Sequence, residues 1–161
     1  KVLDPEGIAV TLDLTKSRTD LIDGNMYNSG EAVPEDIAQS VNVLDIAEKW
    51  SLFMTNDLSF NELSLYLIPD SFQYDAKYNS SIDKSFMSEH TLLDPPFRDE
   101  EVKNFVRLSD NCFSVDIKFD KYLFVAGKTT TDTMDHRFYF AKHEDGSWRL
   151  IGMREAVDNA E

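Results

Sequence analysis

The feature that most constrains the fold is an alternation of apolar and polar residues in the last third of the chain, from Cys112 to Met153. Two runs place apolar side chains at every second position: Phe113, Val115, Ile117 and Phe119, then Phe138 and Phe140. Period-two alternation predicts strands with one buried face and one solvated face. Asp145-Gly146, ahead of Trp148, is a strong hairpin signal. We therefore expect two or three long antiparallel strands whose apolar face needs a second layer.

Helical spacing upstream predicts that second layer. Residues 34–56 carry a broad apolar stripe behind Pro34: Val43, Ile46, Ala47, Trp50, Phe53 and Met54. Ser59 and Glu62 form a capping-box pattern, which predicts a second helix that ends before Pro69. We expect Asp94-Pro95-Pro96 to break regular structure. Residues 99–108 are expected to form a strand, with a helix as the alternative.

The order of these elements predicts an α+β fold, a curved antiparallel sheet of three to five strands wrapped on N-terminal helices. A chain of 161 residues is expected to form one domain, 1–161, with a sizeable core. Residues 1–33 are expected to form an N-terminal extension, with a strand over 8–14 and a turn-rich loop over 16–33.

Charge and motifs argue against several function classes. The chain has 30 acidic and 16 basic residues, a formal net charge of −14, which argues against nucleic acid and against contact with anionic membranes. It has one cysteine, Cys112, which we expect to be a small buried residue. It lacks an apolar run of membrane-spanning length, a glycine-rich phosphate loop and a Gly-x-Ser-x-Gly motif. Its three histidines are widely separated, so we expect no metal and no cofactor.

These segments resemble the NTF2-like (cystatin-like) superfamily. The resemblance lies in the Trp50 helix, the capped helix at Ser59 and the strand segments 113–119, 136–140 and 145–151. It implies a cone in which a bent sheet wraps the helices and leaves a cavity. The pattern looks most like extracytoplasmic domains of bacterial lipoproteins and envelope proteins. That implies an extracellular or cell-envelope location with a membrane-anchored parent protein.

Two sets of residues are candidate sites. His136 shares the parity of Phe138 and Phe140 and is expected to be a histidine at the rim or hydrogen-bonded in the core, with an inward-pointing base as the alternative. The pocket candidates are Trp50, Phe53, Tyr66, His136 and Phe138. Asp116 has the opposite parity and is expected on the solvated side. The outer-face interface candidates are Arg137, Tyr139 and Arg149, with a plain solvated face as the alternative.

The sequence favours a non-enzymatic binding or scaffolding module that uses its sheet face or cone pocket. Its partner is expected to be a protein or a second copy of the chain, including a homodimer through the sheet. The alternative is a small-molecule-binding enzyme or carrier of the ketosteroid isomerase or SnoaL-like type. The first hypothesis predicts a pocket that is shallow or filled by Trp50, Phe53 and Phe138. The second predicts an open, mostly apolar cavity of a few hundred cubic ångströms.

Overall fold

The computed structural model describes residues 33–68, 73–74 and 89–156. The helical elements are α1 (Glu35–Ala38), α2 (Val43–Met54), α3 (Phe60–Leu63) and one 3-10 turn (Ser64–Tyr66). The strands within the described ranges are β1 (Gln73–Tyr74), β2 (Thr91–Ser109), β3 (Cys112–Val125), β4 (Lys128–Lys142) and β5 (Trp148–Glu155). The predicted strand over 8–14, and all but the last residue of the predicted loop over 16–33, lie outside the described residues.

The strands form one curved, unclosed sheet in the order β1-β5-β4-β3-β2. The strands from β2 to β5 pair antiparallel with their neighbours, and the short β1 pairs parallel with β5. The helices supply apolar side chains to one face of this sheet. The predicted α+β class, with three to five strands packed on helices, is confirmed.

The predicted helix over 34–56 is two helices, because the chain starts a new helix at Asn42. The Asn42 side chain accepts a hydrogen bond from the backbone N of Asp45 at 3.0 Å, which caps α2. The hydroxyl of Ser40, in the turn after α1, donates to the carbonyl of Asp36 at 2.9 Å. Short polar side chains that bond to nearby backbone favour turns and caps over a continuous helix.

The predicted capping box is confirmed at the start of α3. The Glu62 backbone N donates to Ser59 Oγ at 3.2 Å, and the Ser59 backbone N donates to Glu62 Oε1 at 3.2 Å. Two backbone donors that the helix itself cannot satisfy thus find partners.

Replacing Ser59 with Ala should therefore lower the free energy of unfolding by about 1 kcal/mol, because the cap is lost. Urea denaturation followed by tryptophan fluorescence measures the change. Ser64→Ala is the matched control, since its hydroxyl bonds to the Asn61 carbonyl at 2.8 Å and caps no helix start. An unchanged free energy of unfolding for Ser59→Ala would show that the cap contributes nothing.

The predicted break at Asp94-Pro95-Pro96 does not end β2, which begins at Thr91 and runs through the prolines, but it does interrupt the pairing of β2 with β3. The register to β3 shifts between Leu92 and Phe97, so the prolines lie in an irregular stretch of the ladder. β2 is also at one end of the strand order, where a residue without a backbone N–H is tolerated. The predicted strand over 99–108 is confirmed as the second half of β2.

The predicted hairpin at Asp145-Gly146 connects β4 to β5. Gly146 has a φ of 88°, a conformation that favours glycine. The Asp145 carboxylate accepts hydrogen bonds from the Ser147 backbone N at 2.9 Å and from Ser147 Oγ at 2.6 Å. These bonds lower the pKa of Asp145 to about 2, so the turn keeps its charge throughout the neutral range.

Candidate functional site

Aromatic side chains occupy the space between helix α2 and the inner face of the sheet. The rings of Phe113 and Phe140 stack at 5.0 Å, and Trp148 meets Phe113 edge-on at 4.9 Å. Toward the other end of the sheet, Phe97 packs edge-on against Phe119 at 5.1 Å. These rings, together with Trp50, belong to one buried or nearly buried core cluster.

The structure brings the apolar pocket candidates together in this cluster. The Trp50 and Phe53 rings lie 5.6 Å apart on α2, with 2% and 6% of their surfaces exposed. Phe138 is fully buried, and the half-buried Tyr66 packs against the same cluster under the ammonium group of Lys49. The structure therefore places Trp50, Phe53 and Phe138 in the buried core cluster, with Tyr66 packed against it.

His136 lies on the inner row of β4, with 8% of its surface exposed. Its ring lies 6.3 Å from that of Phe138, and its partner on the neighbouring strand β3 is the buried Ile117. The histidine is therefore nearly buried beside Phe138 of the core cluster. Its role as a base stays a prediction.

The prediction of a solvated outer face is wrong for Asp116, Arg137 and Tyr139. Arg137 and Asp116 are 2% and 3% exposed, and Tyr139 is fully buried. Tyr139 belongs to a second apolar cluster on this face, which contains Ile68, Cys112, Tyr139, Ala141 and Ile151. Alternation identifies two faces of a sheet, but it does not require one of them to meet water. Side chains buried in this way cannot serve as the exposed interface that the sequence suggested.

Arg137 and Asp116 form a buried ion pair across β3 and β4. Arg137 Nε donates to Asp116 Oδ1 at 2.7 Å, and Arg137 Nη2 donates to Asp116 Oδ2 at 3.2 Å. Asn104 on β2 adds a donor to Asp116 Oδ2 at 2.8 Å. The network thus joins three neighbouring strands by charge-assisted hydrogen bonds.

Arg149, the third interface candidate, is the one whose side chain remains accessible, with 27% exposed. Its Nη2 donates to Asp145 Oδ2 at 2.9 Å, and its Nε donates to Ser147 Oγ at 3.1 Å. These bonds tie Arg149 to the β4–β5 turn and hold its guanidinium group in place.

A polar cluster that the sequence pattern did not predict lies on the inner face of the sheet, next to Phe119 on β3. We call Lys121, Thr55, Asp57 and His90 the Lys121 cluster. Lys121 is fully buried, and its Nζ donates to the Ser51 carbonyl at 2.9 Å and to the hydroxyl of Thr55. Asp57 Oδ2 lies 3.7 Å from Lys121 Nζ and 2.8 Å from His90 Nε2. Parity could have revealed Lys121, because it continues the inward row of Phe113 to Phe119.

Burial lowers the pKa of Lys121 from 10.5 to about 8, against the opposing effect of the negative charges of Asp57 and Asp132. Asp132 faces Lys121 directly on β4. The lysine also bonds to a carbonyl at the C-terminal end of α2, where the helix dipole favours a cation. A buried lysine with a shifted pKa marks a site at which small changes of environment alter the charge.

A second ionisable group with a shifted pKa ties α2 to β2. Burial raises the pKa of Glu48 to about 8, helped by a hydrogen bond with Glu100 and by the negative charges of Glu100 and Asp45. Near neutral pH the raised pKa favours the protonated form of Glu48, whose carboxyl group can then donate to Glu100.

Exposed apolar side chains follow the Lys121 cluster along the chain. Phe60 on α3 is 50% exposed, and Leu65 in the 3-10 turn is 69% exposed. The Phe60 ring also packs against Phe53, a core residue, with 5.8 Å between the ring centroids. We call Phe60 and Leu65 the Phe60–Leu65 surface. The apolar pattern of the sequence does not predict this surface, because the side chains of this segment that reach the core are those of Leu63 and Leu67.

The described residues contain no group of three or more His, Cys, Asp or Glu side chains that could hold a metal ion. In the same ranges, no helix has the length and hydropathy needed to cross a membrane.

No family model matches the chain. No curated protein matches it in sequence. Solved structures do match it. The matched structures include NTF2-like proteins and a ketosteroid isomerase-like protein. The described strands and helices have the α+β architecture that the sequence resemblance implies.

Three of the matched structures show how distant the likeness is. An NTF2-like protein of unknown function from Prochlorococcus marinus is 15% identical, with 80% of this chain and 97% of that chain covered and a TM-score of 0.49. A ketosteroid isomerase-like protein from Erwinia carotovora is 12% identical, with coverage of 78% and 100% and a TM-score of 0.48. A CaMKII hub homology domain from Chlamydomonas reinhardtii is 12% identical, with coverage of 76% and 98% and a TM-score of 0.49. The function of this chain must be argued from its own residues.

Proposed function

We propose that this chain is a non-enzymatic binding or scaffolding module whose partner is a protein. The observation that carries the proposal is the aromatic filling between α2 and the sheet, with Trp50, Phe113 and Phe140 in one buried cluster. Small-molecule enzymes need a concave site with polar groups that converge on a substrate. A core packed with rings favours contact through the outer surface instead.

The contact surface is the Phe60–Leu65 surface. Contiguous exposed apolar patches mark interaction sites, and we propose that Phe60 and Leu65 belong to one such patch. Phe60 is supported from below by Phe53, so it is presented as a fixed aromatic group. Rigid aromatic residues in such positions often contribute most to binding energy. A second copy of this chain is one partner that such a surface could accept.

A photo-crosslinking amino acid at position 65 tests this surface in the host cell. We expect a crosslinked species at position 65 and a loss of most of it when Phe60→Ser is added, because the partner loses its aromatic contact. Thr130, exposed at the far end of β4, is the control position and should give no comparable product. Mass spectrometry of the product identifies a second copy or another protein.

Two results would contradict the proposal. Crosslinking at position 65 no stronger than at position 130 would mean that the surface binds nothing. A loss of crosslinking in His136→Ala, with the fold intact, would point back to the inner face and to the cavity hypothesis. We expect His136→Ala to leave the crosslinked product unchanged.

We also propose that the chain works outside the cytoplasm, in an extracellular or cell-envelope setting with a membrane-anchored parent. The support is the resemblance to lipoprotein and envelope domains described above. Fractionation of host cells tests it. Recovery of the protein with the cytoplasmic fraction would refute this part of the proposal.

A further inference from the structure

The Lys121 cluster fixes the chain immediately before the Phe60–Leu65 surface. Thr55 and Asp57 lie in the connection between α2 and α3, so Lys121 on β3 and His90 ahead of β2 hold this connection from two sides. Thr55 Oγ1 also donates to Asp57 Oδ2 at 2.5 Å, which links the two residues within the connection. Any movement of residues 55–66 away from the sheet must break these bonds.

Opening of this connection would bring a buried charge into water. The Lys121 side chain is 0% exposed, whereas that of Asp57 is 23% exposed. The groups that face the ammonium are Asp57 from the connection, Asp132 from β4 and the neutral oxygens of Ser51 and Thr55. A cation held away from water is stabilised by its hydration as soon as the site opens.

We propose that the Lys121 cluster holds residues 55–66, the segment that carries the Phe60–Leu65 surface, closed against the sheet. Opening of this segment is linked to the uptake of a proton by Lys121. The closed segment presents Phe60 and Leu65 in the arrangement described above, and the open segment does not. The biological consequence, control of the surface by pH, rests on the proposed function, whereas the opening itself does not.

Proton linkage gives the direction in which pH changes the stability of the closed state. In the closed state the pKa of Lys121 is about 8, and once hydrated it returns toward 10.5. Between these values the open state binds more protons, so the closed state gains stability as pH rises from 8 to 10.5. The contribution of Lys121 to the opening constant should fall about tenfold per pH unit across this window and level off below pH 8.

Hydrogen exchange of the full chain, measured by mass spectrometry with millisecond labelling at pH 7 and pH 9, tests the closure. The readout is the ratio of exchange rates of wild type to Lys121→Met for the amides of residues 55–66, which cancels the chemical exchange rate at each pH. We expect this ratio to fall about tenfold from pH 7 to pH 9. Lys118→Met, exposed on the same strand, is the control, and its ratio should not change.

If Lys121→Met does not fold, wild-type rates divided by those of an unstructured peptide of residues 55–66 give the opening constant directly. A change of less than twofold would overturn the closure. So would exchange of residues 55–66 at the rate of the buried amides of β4, because that would mean opening only by global unfolding. Loss of crosslinking at position 65 with the tenfold change intact would refute the proposed function and leave the closure standing.

Discussion

Trp50→Ala should lower the free energy of unfolding by about 3–5 kcal/mol, one of the largest effects that a single substitution in this chain can have. Trp50 is 2% exposed on α2 and lies in the core cluster between the helix and the sheet. Truncation removes its apolar surface from the core and leaves a cavity that the stacked rings of Phe113 and Phe140 cannot close without moving. Chemical denaturation measures the loss, and the remaining Trp148 supplies the fluorescence signal.

Trp50→Phe is the matched control for this prediction, because it keeps an aromatic ring and removes much less volume. Its cost should be less than half that of Trp50→Ala. A cost below about 1 kcal/mol for Trp50→Ala would mean that α2 does not direct this side chain into the core. The orientation of the helix, and with it the filled interior on which the proposed function rests, would then be wrong.

Periodicity was sufficient to predict the layers of the fold. The inward row of β3, from Phe113 to Phe119, is buried as its alternation predicts, and Trp50 and Phe53 face it from α2. Local hydrogen-bond patterns predicted the capped start of α3 and the β4–β5 turn. Periodicity failed at Asn42, because capping by one side chain outweighed a helical pattern that continues on both sides.

The polar sites could not be predicted in the same way. Alternation along a strand shows on which face of the sheet a side chain lies, but not which groups surround it there. Asp116 was assigned to the solvated side, yet the outer face carries its own apolar cluster and the carboxylate is buried with Arg137. Lys121 continues the inward row, but a lysine in that row is understood only once the Thr55–Asp57 connection is known to end beside it. Contacts between residues far apart in sequence determine both sites.

Arg137→Met should lower the free energy of unfolding by about 3–5 kcal/mol, for an electrostatic reason. The side chains of Arg137 and Asp116 are 3% and 4% exposed and share two hydrogen bonds. Met fills much of the space of the arginine stem but leaves the carboxylate of Asp116 buried without the cation opposite it. Chemical denaturation measures the effect. Arg149→Met is the control, because its ion pair with Asp145 lies at the surface and contributes little.

A double variant separates the charge from the packing. In Asp116→Leu/Arg137→Met both charges are gone, so more than half of the stability lost in Arg137→Met should return. The loss in the single variant then reflects a carboxylate left in an apolar site, rather than the net worth of the ion pair. If the double variant is as unstable as Arg137→Met, the guanidinium group stabilises the outer face of the sheet through contacts other than its bond to Asp116. The three strands that meet at Asn104, Asp116 and Arg137 would then depend on packing around the arginine stem.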